Sequence, residues 1–265
     1  FKNFYHRISF HQNKINESKQ SAKFNGAVGN FNAHHALDSD INWPNITKKF
    51  ISSFNLGYSL ISSQIEFKDN LVFLLSNIEN LNNVLIDLSK DIWLYISKDY
   101  LKQKISSSEV GSSTMPHKVN PSDFENAEGN LTLSNSLIPA LKNKLQISRL
   151  QRDLSDSTVS RNIGLCFAYL EISLKSLNKG LKKLEPNKKK IKEELQESWE
   201  VLAEAIQTVM RKNKISNSYD IIKKLTRGKE LSGESYRNLI ESLPINEVDK
   251  TKLLKLTPIQ YTGLA

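Results

Sequence analysis

The sequence contains one cysteine in 265 residues, Cys166, so no disulfide can form within it. Cys166 stands in the apolar run Gly164-Leu165-Cys166-Phe167-Ala168-Tyr169-Leu170, which points to a buried thiol packed as a small hydrophobe and away from a nucleophile. No apolar run approaches the roughly 18 residues that a membrane span needs. The expectation is a soluble cytoplasmic protein without a membrane partner. Methionine is scarce, at Met115 and Met210 alone, and the chain opens on Phe1 in helix-like texture with no capping signal before it. The expectation is therefore the back part of a longer protein. Glycine (10) and proline (7) are sparse, and neither occurs between Asp69 and Leu101, so nothing in that stretch interrupts a helix.

Acidic residues are outnumbered, 28 against 37 Lys+Arg, for a net charge of +9. Much of the excess lies in Lys182-Lys183, Lys188-Lys189-Lys190 and Lys223-Lys224. These clusters are not interleaved with aromatics as a single-strand binding groove would be, so they read as solvated surface charge and no nucleic-acid partner is expected. Asn25-Gly26-Ala27-Val28-Gly29-Asn30 holds two glycines but no lysine–serine pair, which favours close backbone packing over a phosphate cradle. His34 and His35 are adjacent and point apart, a poor metal pair. No metal and no cofactor are expected.

Hydrophobic periodicity predicts helix over residues 1–22, and Pro44 can begin a short helix that runs to Phe54. Ser62-Ser63-Gln64-Ile65-Glu66 is a polar lead-in to the next helix, with Ser63 or Asp69 as its cap. From Asp69 to Leu101 apolar residues recur every three or four positions, roughly 50 Å of helix with one continuous seam. Such a seam implies an elongated bundle or a subunit interface. A third helix follows Pro121 to about Gln146, with a kink or break near Leu137-Ile138 because Pro139 lies inside it. A fourth runs from Ile163 to Leu184, with Arg161 on its first turns. Beyond Glu185-Pro186-Asn187 the helices shorten, to about 188–197, 199–212, 217–226, 233–242 and 246–255. The fold class is all-α: a long-helix bundle over 1–185, carrying a loop at 111–121, then a small helical domain over 186–265.

That loop, Gly111-Ser112-Ser113-Thr114-Met115-Pro116-His117-Lys118-Val119-Asn120-Pro121, places hydroxyls, an ammonium and a carboxamide between rigid helices. An elimination next to a carboxylate needs a base, stabilisation of the dianionic state that results, and an acid for the leaving group. Ser112 is a candidate base, Lys118 a fixed positive charge and Asn120 an amide donor. Farther on, Ser157 and Arg161 are four apart and can share a helix face near an N-terminus, where anions bind. Spacing alone leaves the arginines evenly divided between an anion site and solvated surface.

The loop resembles the GSSxMPxKxNP signature of the fumarase/aspartase superfamily, and with Thr114 and His117 it is similar to the adenylosuccinate lyase branch. The resemblance runs from about residue 5 to the end and lacks the family's N-terminal domain. It implies a carbon–nitrogen lyase that eliminates fumarate from adenylosuccinate, giving AMP, and from the succinylated aminoimidazole carboxamide ribotide, giving AICAR. Ser112 would be the base. Lys118 and Asn120 would hold the aci-carboxylate intermediate with Ser113 beside them, while Glu125 orients Lys118 and Met115 supports the loop. Gln64, in a segment like the family's TTQIE, would touch substrate. The pattern R-x4-S-x3-R for phosphate and carboxylate falls on Arg152, Ser157 and Arg161. The family's general-acid histidine has no counterpart among His6, His11, His34, His35 and His117. The resemblance further implies a homotetramer with active sites shared between subunits.

Overall fold

The computed structural model describes residues 1–104, 120–226 and 231–264. Among these the fold is all-α, in two compact units: Phe1–Lys98 with Gln103–Glu185, and Asp99–Lys102 with Pro186–Ala265.

In the first unit the elements run α1 (Lys2–Asn16), β1 (Ser21–Ala22), α2 (Asn32–Leu37), α3 (Trp43–Ser53), β2 (Gly57–Tyr58), α4 (Asp69–Ser97), α5 (Ser122–Leu145), α6 (Ser155–Ser160) and α7 (Ile163–Lys182). Side-chain pairs fix the direction of the long helices. Glu79, Asn82 and Trp93 of α4 meet Lys142, Ser134 and Glu125 of α5, so numbers rise on one helix as they fall on the other. Phe1 against Tyr95 and Arg7 with Asp87 give the same antiparallel sense to α1 and α4, and Ser173 to the Ala127 carbonyl together with Ser134 to the Cys166 carbonyl gives it to α5 and α7. Leu75, Ile78, Ile138, Leu141, Leu145 and the fully buried Cys166 close one core between α4, α5 and α7. Burial raises the Cys166 pKa, as suits an inert thiol.

A polar thread crosses the middle of that core. Buried Asn82 donates to Ser134 Oγ at 3.0 Å and to Asn135 Oδ1 at 2.8 Å, and Ser134 donates onward to the Cys166 carbonyl at 3.0 Å. Apolar side chains can slide past one another by a turn; these donors and acceptors meet at one register only. Gly180 permits close packing near the other end, because a Cβ there would stand 2.7 Å from the Phe124 ring.

Several local expectations are corrected. The first helix ends at Asn16, not residue 22, because Ser21–Ala22 pairs in parallel with Gly57–Tyr58; tertiary backbone bonds override local helical texture. α4 ends at Ser97, four residues short of Leu101 and about 43 Å long, and Asp99 turns the chain with φ +59°. Neither Ser63 nor Asp69 caps α4, whose N-cap is Lys68 without a side-chain bond. α5 continues through Pro139 without a break. An interior proline costs about 3 kcal/mol, and the buried neighbours Ile138 and Leu141 hold the helix against that loss. Arg161 is not on α7: it closes α6, and Asn162 is the N-cap of α7, which begins at Ile163 and stops at Lys182.

The second unit contains α8 (Lys188–Glu197), a 3-10 turn Trp199–Leu202 leading into α9 (Ala203–Lys212), then α10 (Ser218–Thr226), α11 (Gly233–Ser242) and α12 (Glu247–Leu254). Leu202, Ile206, Met210, Tyr236, Ile240 and Leu253 form its core. The Tyr236 hydroxyl donates to the Leu253 carbonyl at 2.8 Å, and burial pushes its pKa up to about 12. Side-chain caps explain the helix starts: Asn187 for α8, Ser232 with Ser235 for α11 and Asn246 for α12. The cluster Lys188-Lys189-Lys190 is a solvated face, with Lys189 and Lys190 paired to Glu193 and Glu194 one turn on.

The Asp249 carboxylate, 3% exposed, is the polar centre of this unit. It accepts from Lys212 Nζ at 2.6 Å, Asn213 Nδ2 at 2.8 Å and Asn246 Nδ2 at 2.9 Å. The Lys212 bond first, then Asn213, lowers its pKa from 3.8 to about 2 against the opposing effect of burial. A depressed carboxylate stabilises the fold above its unfolded value and loses that stabilisation as pH falls through the folded one. Acid unfolding of this unit is therefore expected to steepen between about pH 4 and pH 2. Asp249→Asn should flatten that step and lower the melting temperature at pH 7 by roughly 5–10 °C. Circular dichroism melts across the pH series check both.

Candidate active site

Ser62–Glu66 is positioned from below by the glycine turn. Asn25, fully buried, donates to the Leu60 carbonyl at 3.0 Å and to Ser62 Oγ at 2.9 Å, while its own carbonyl accepts from the Phe31 amide at 2.8 Å. Gly29 has φ +84°, and a Cβ there would lie 1.9 Å from the Ser62 carbonyl oxygen, so only glycine permits this approach. The turn is a packing device, as its two glycines suggested. Lys23 reaches the carbonyls of Gly26, Ser63 and Gln64. Glu66 is half-buried; desolvation raises its pKa, opposed by the hydrogen bond from Ser59.

The segment meets the loop after α5 at Gln151. Gln151 Oε1 accepts from the Gln64 amide at 2.9 Å, and the Gln151 carbonyl accepts from Ser63 Oγ at 3.0 Å. That loop is itself held: Asp153 accepts from the Ser155 amide at 3.0 Å, Ser155 Oγ at 2.8 Å and Lys144 Nζ at 3.1 Å, which keep its carboxyl well below the usual range. Arg152, between Gln151 and Asp153, therefore leaves a fixed backbone. Both Arg152 and Arg161 are exposed and form no ion pair among the described residues. Ser157 lies in α6 and donates to the Leu154 carbonyl. Because α6 has six residues and Arg161 closes it, Ser157 and Arg161 do not share the start of one longer helix.

Asn120 and Glu125 lie elsewhere. Asn120 is exposed just before α5, and Glu125 Oε1, in the first turn, accepts from Trp93 Nε1 at 3.0 Å. Gln64, Gln151 and Arg152 stand at the other end, where Gln146 bonds Asp69 at the start of α4. The 24 residues of α5 separate the two groups by about 36 Å. Within one chain, Gln64 and Arg152 are brought together and Asn120 is not brought to them. Ser112, Ser113, Met115, His117 and Lys118 lie outside the described residues. Lys23 and Gln151 escaped sequence reading, because a bond between Gln64 and Gln151 spans 87 positions and leaves no local pattern.

The all-α bundle carries Gln64, Arg152 and Arg161 at one end of its long helices and Asn120 at the other, and residues 2–133 match the family described as Lyase. Residues 148–262 match the family described as Adenylosuccinate lyase C-terminal. The chain is 50% identical over 263 residues to adenylosuccinate lyase of Legionella pneumophila strain Corby and 43% identical to that of Escherichia coli K12, covering 99% of this chain. The chain belongs to the adenylosuccinate lyase family. It spans 58% of the length of those relatives. Among solved structures, the 3-carboxy-cis,cis-muconate lactonizing enzyme of Pseudomonas putida shares the fold, with a TM-score of 0.69 and 19% identity over 96% of this chain and 58% of that one.

Proposed function

We propose that the full-length protein is an adenylosuccinate lyase, working in the cytoplasm as a homotetramer on anionic purine nucleotides, with no nucleic-acid or membrane partner. The observation that carries the reading is the 43–50% identity to adenylosuccinate lyases along 99% of the chain. No helix among the described residues is long and apolar enough to cross a membrane, which accords with it.

The chemistry divides among residues already named. Ser112, as alkoxide, takes the proton from the succinyl carbon β to the nitrogen. The electron pair left behind spreads into the adjacent carboxylate, and Lys118 and Asn120 hold the dianion that results, with Ser113 and Met115 shaping the loop and Glu125 orienting Lys118. The carbon–nitrogen bond then breaks, the double bond of fumarate forms, and a general acid supplied from outside the chain described here protonates the leaving nitrogen. Gln64, Arg152, Ser157 and Arg161 bind the nucleotide's anionic groups. Turnover of adenylosuccinate by the full-length protein, followed by absorbance, tests the proposal; no turnover would leave a helical oligomerisation module.

The separation of about 36 Å between Asn120 and the Gln64/Arg152 end supports sites assembled from more than one copy. The apolar surface of α7 supports the same reading: Leu165 and Ile172, and Phe167, Leu174 and Leu181, are exposed at seven-residue intervals. A second copy covers such a stripe more readily than water does.

Arg152→Ala and Arg161→Ala are each expected to raise KM by roughly one to two decades while kcat changes less, since each removes a charge-assisted contact worth about 1.5–3 kcal/mol. Steady-state kinetics of both variants check this, and an unchanged KM in both removes the arginines from the site.

A further inference from the structure

We infer that Lys23 is a positioning residue for Gln64, fixing where that side chain stands beside Arg152; the inference rests on the lyase reading above. Three backbone carbonyls converge on its ammonium, those of Gly26 at 2.8 Å, Ser63 at 2.9 Å and Gln64 at 2.9 Å. An ammonium has three protons to donate, and all three are used. Each bond is charge-assisted, and so stronger than a neutral donor would make to the same oxygen. Lys23 forms no ion pair among the described residues, so its charge is spent on backbone geometry alone. Desolvation lowers its pKa, the direction expected when no carboxylate compensates.

The three bonds tie two stretches of chain that the Asn25 bonds to Leu60 and Ser62 also hold together. One is the glycine turn; the other is the segment entering α4. Gly29, pressed against the Ser62 carbonyl, closes the same junction from its far side. Gln64 is then held by both backbone groups: its carbonyl by Lys23 and its amide by Gln151. Its side chain is exposed and bonded to nothing among the described residues. A rigidly anchored residue with a free amide is built to meet something from outside. Gln151 is also the neighbour of Arg152, so the junction sets Gln64 and Arg152 relative to each other.

The test uses the full-length enzyme with Lys23→Met and Gln151→Met, each alone and each combined with Gln64→Ala. The expected result is a KM for adenylosuccinate raised roughly tenfold in either single variant, with kcat less affected. Neither should worsen KM further once Gln64 is alanine, because a residue that acts through Gln64 has nothing left to position. A merely structural lysine would give losses that multiply with those of Gln64→Ala, and that outcome overturns the inference. So does a near-normal KM in both single variants. If Lys23→Met fails to fold, Gln151→Met decides by the same two criteria. An active wild type in which Gln64→Ala leaves KM unchanged removes Gln64 from the site, and the inference with it. A wild type that does not turn over adenylosuccinate overturns the lyase reading instead.

Discussion

Ser112→Ala is expected to lower turnover by about a thousandfold or more while leaving substrate affinity within a modest factor. The asymmetry follows from what a base does. Its oxygen meets the substrate at a carbon-bound proton, which forms no useful hydrogen bond in the ground state, so deleting the oxygen costs the Michaelis complex little. In the transition state the same oxygen accepts the proton, a role that neither Lys118, with no acceptor lone pair when charged, nor Asn120, too weak a base, can take over. A serine reaches this role only if its alkoxide is stabilised by nearby N–H groups and an ammonium in a site closed from water. Lys118→Met should therefore act in the same direction as Ser112→Ala. Single-turnover absorbance and equilibrium calorimetry on Ser112→Ala separate the two quantities. Near-normal turnover at saturating substrate would sink the base assignment.

The all-α class was legible because its signals are local. Asp69–Ser97 has no glycine or proline and repeats its apolar side chains at helical spacing. The short helices of the second unit begin where Asn187, Ser232 and Asn246 can cap them. What local signals could not supply is pairing over distance. Residues 17–22 carry helical texture, and only Gly57 and Ser59, some forty positions on, offer the amides that draw them out into a strand. Pro139 would break an isolated helix, yet the core on both sides of it keeps α5 continuous. The same limit applies to the candidate site. Gln64 and Arg152 could be picked out individually by resemblance, whereas the Gln151 bridge and the Lys23 clamp exist only in three dimensions. The distance from Asn120 to Arg152 was also invisible until the helix between them was known to be unbroken.

That distance leads to the second large effect. Mixing full-length Ser112→Ala protein with full-length Arg152→Ala, Arg161→Ala protein, each nearly inactive at low substrate, is expected to restore substantial activity. If one site takes its Ser112 loop from one copy and its arginines from another, a mixed tetramer contains some sites in which both contributions are intact. With random assembly from equal parts, about a quarter of the sites qualify, because each of two independent contributions is sound half the time. If every site were built within one chain, no mixture could exceed the sum of its parents. α5 favours the first case. It is one helix of 24 residues, too stiff to fold back, and it separates Asn120 from Arg152 by about 36 Å. A neighbouring copy would bring an Asn120 end beside an Arg152 end, and the five apolar side chains exposed at seven-residue intervals on α7 offer the surface along which copies would pack. The subunits must exchange for the test to be fair, so the two variants are unfolded together and refolded, or co-expressed with different tags. Sedimentation of the wild type should give a tetramer under the same conditions. Activity no greater than that of the parents in a verified mixed tetramer would show that the sites are not shared, and a fully active monomer would overturn the assembly altogether.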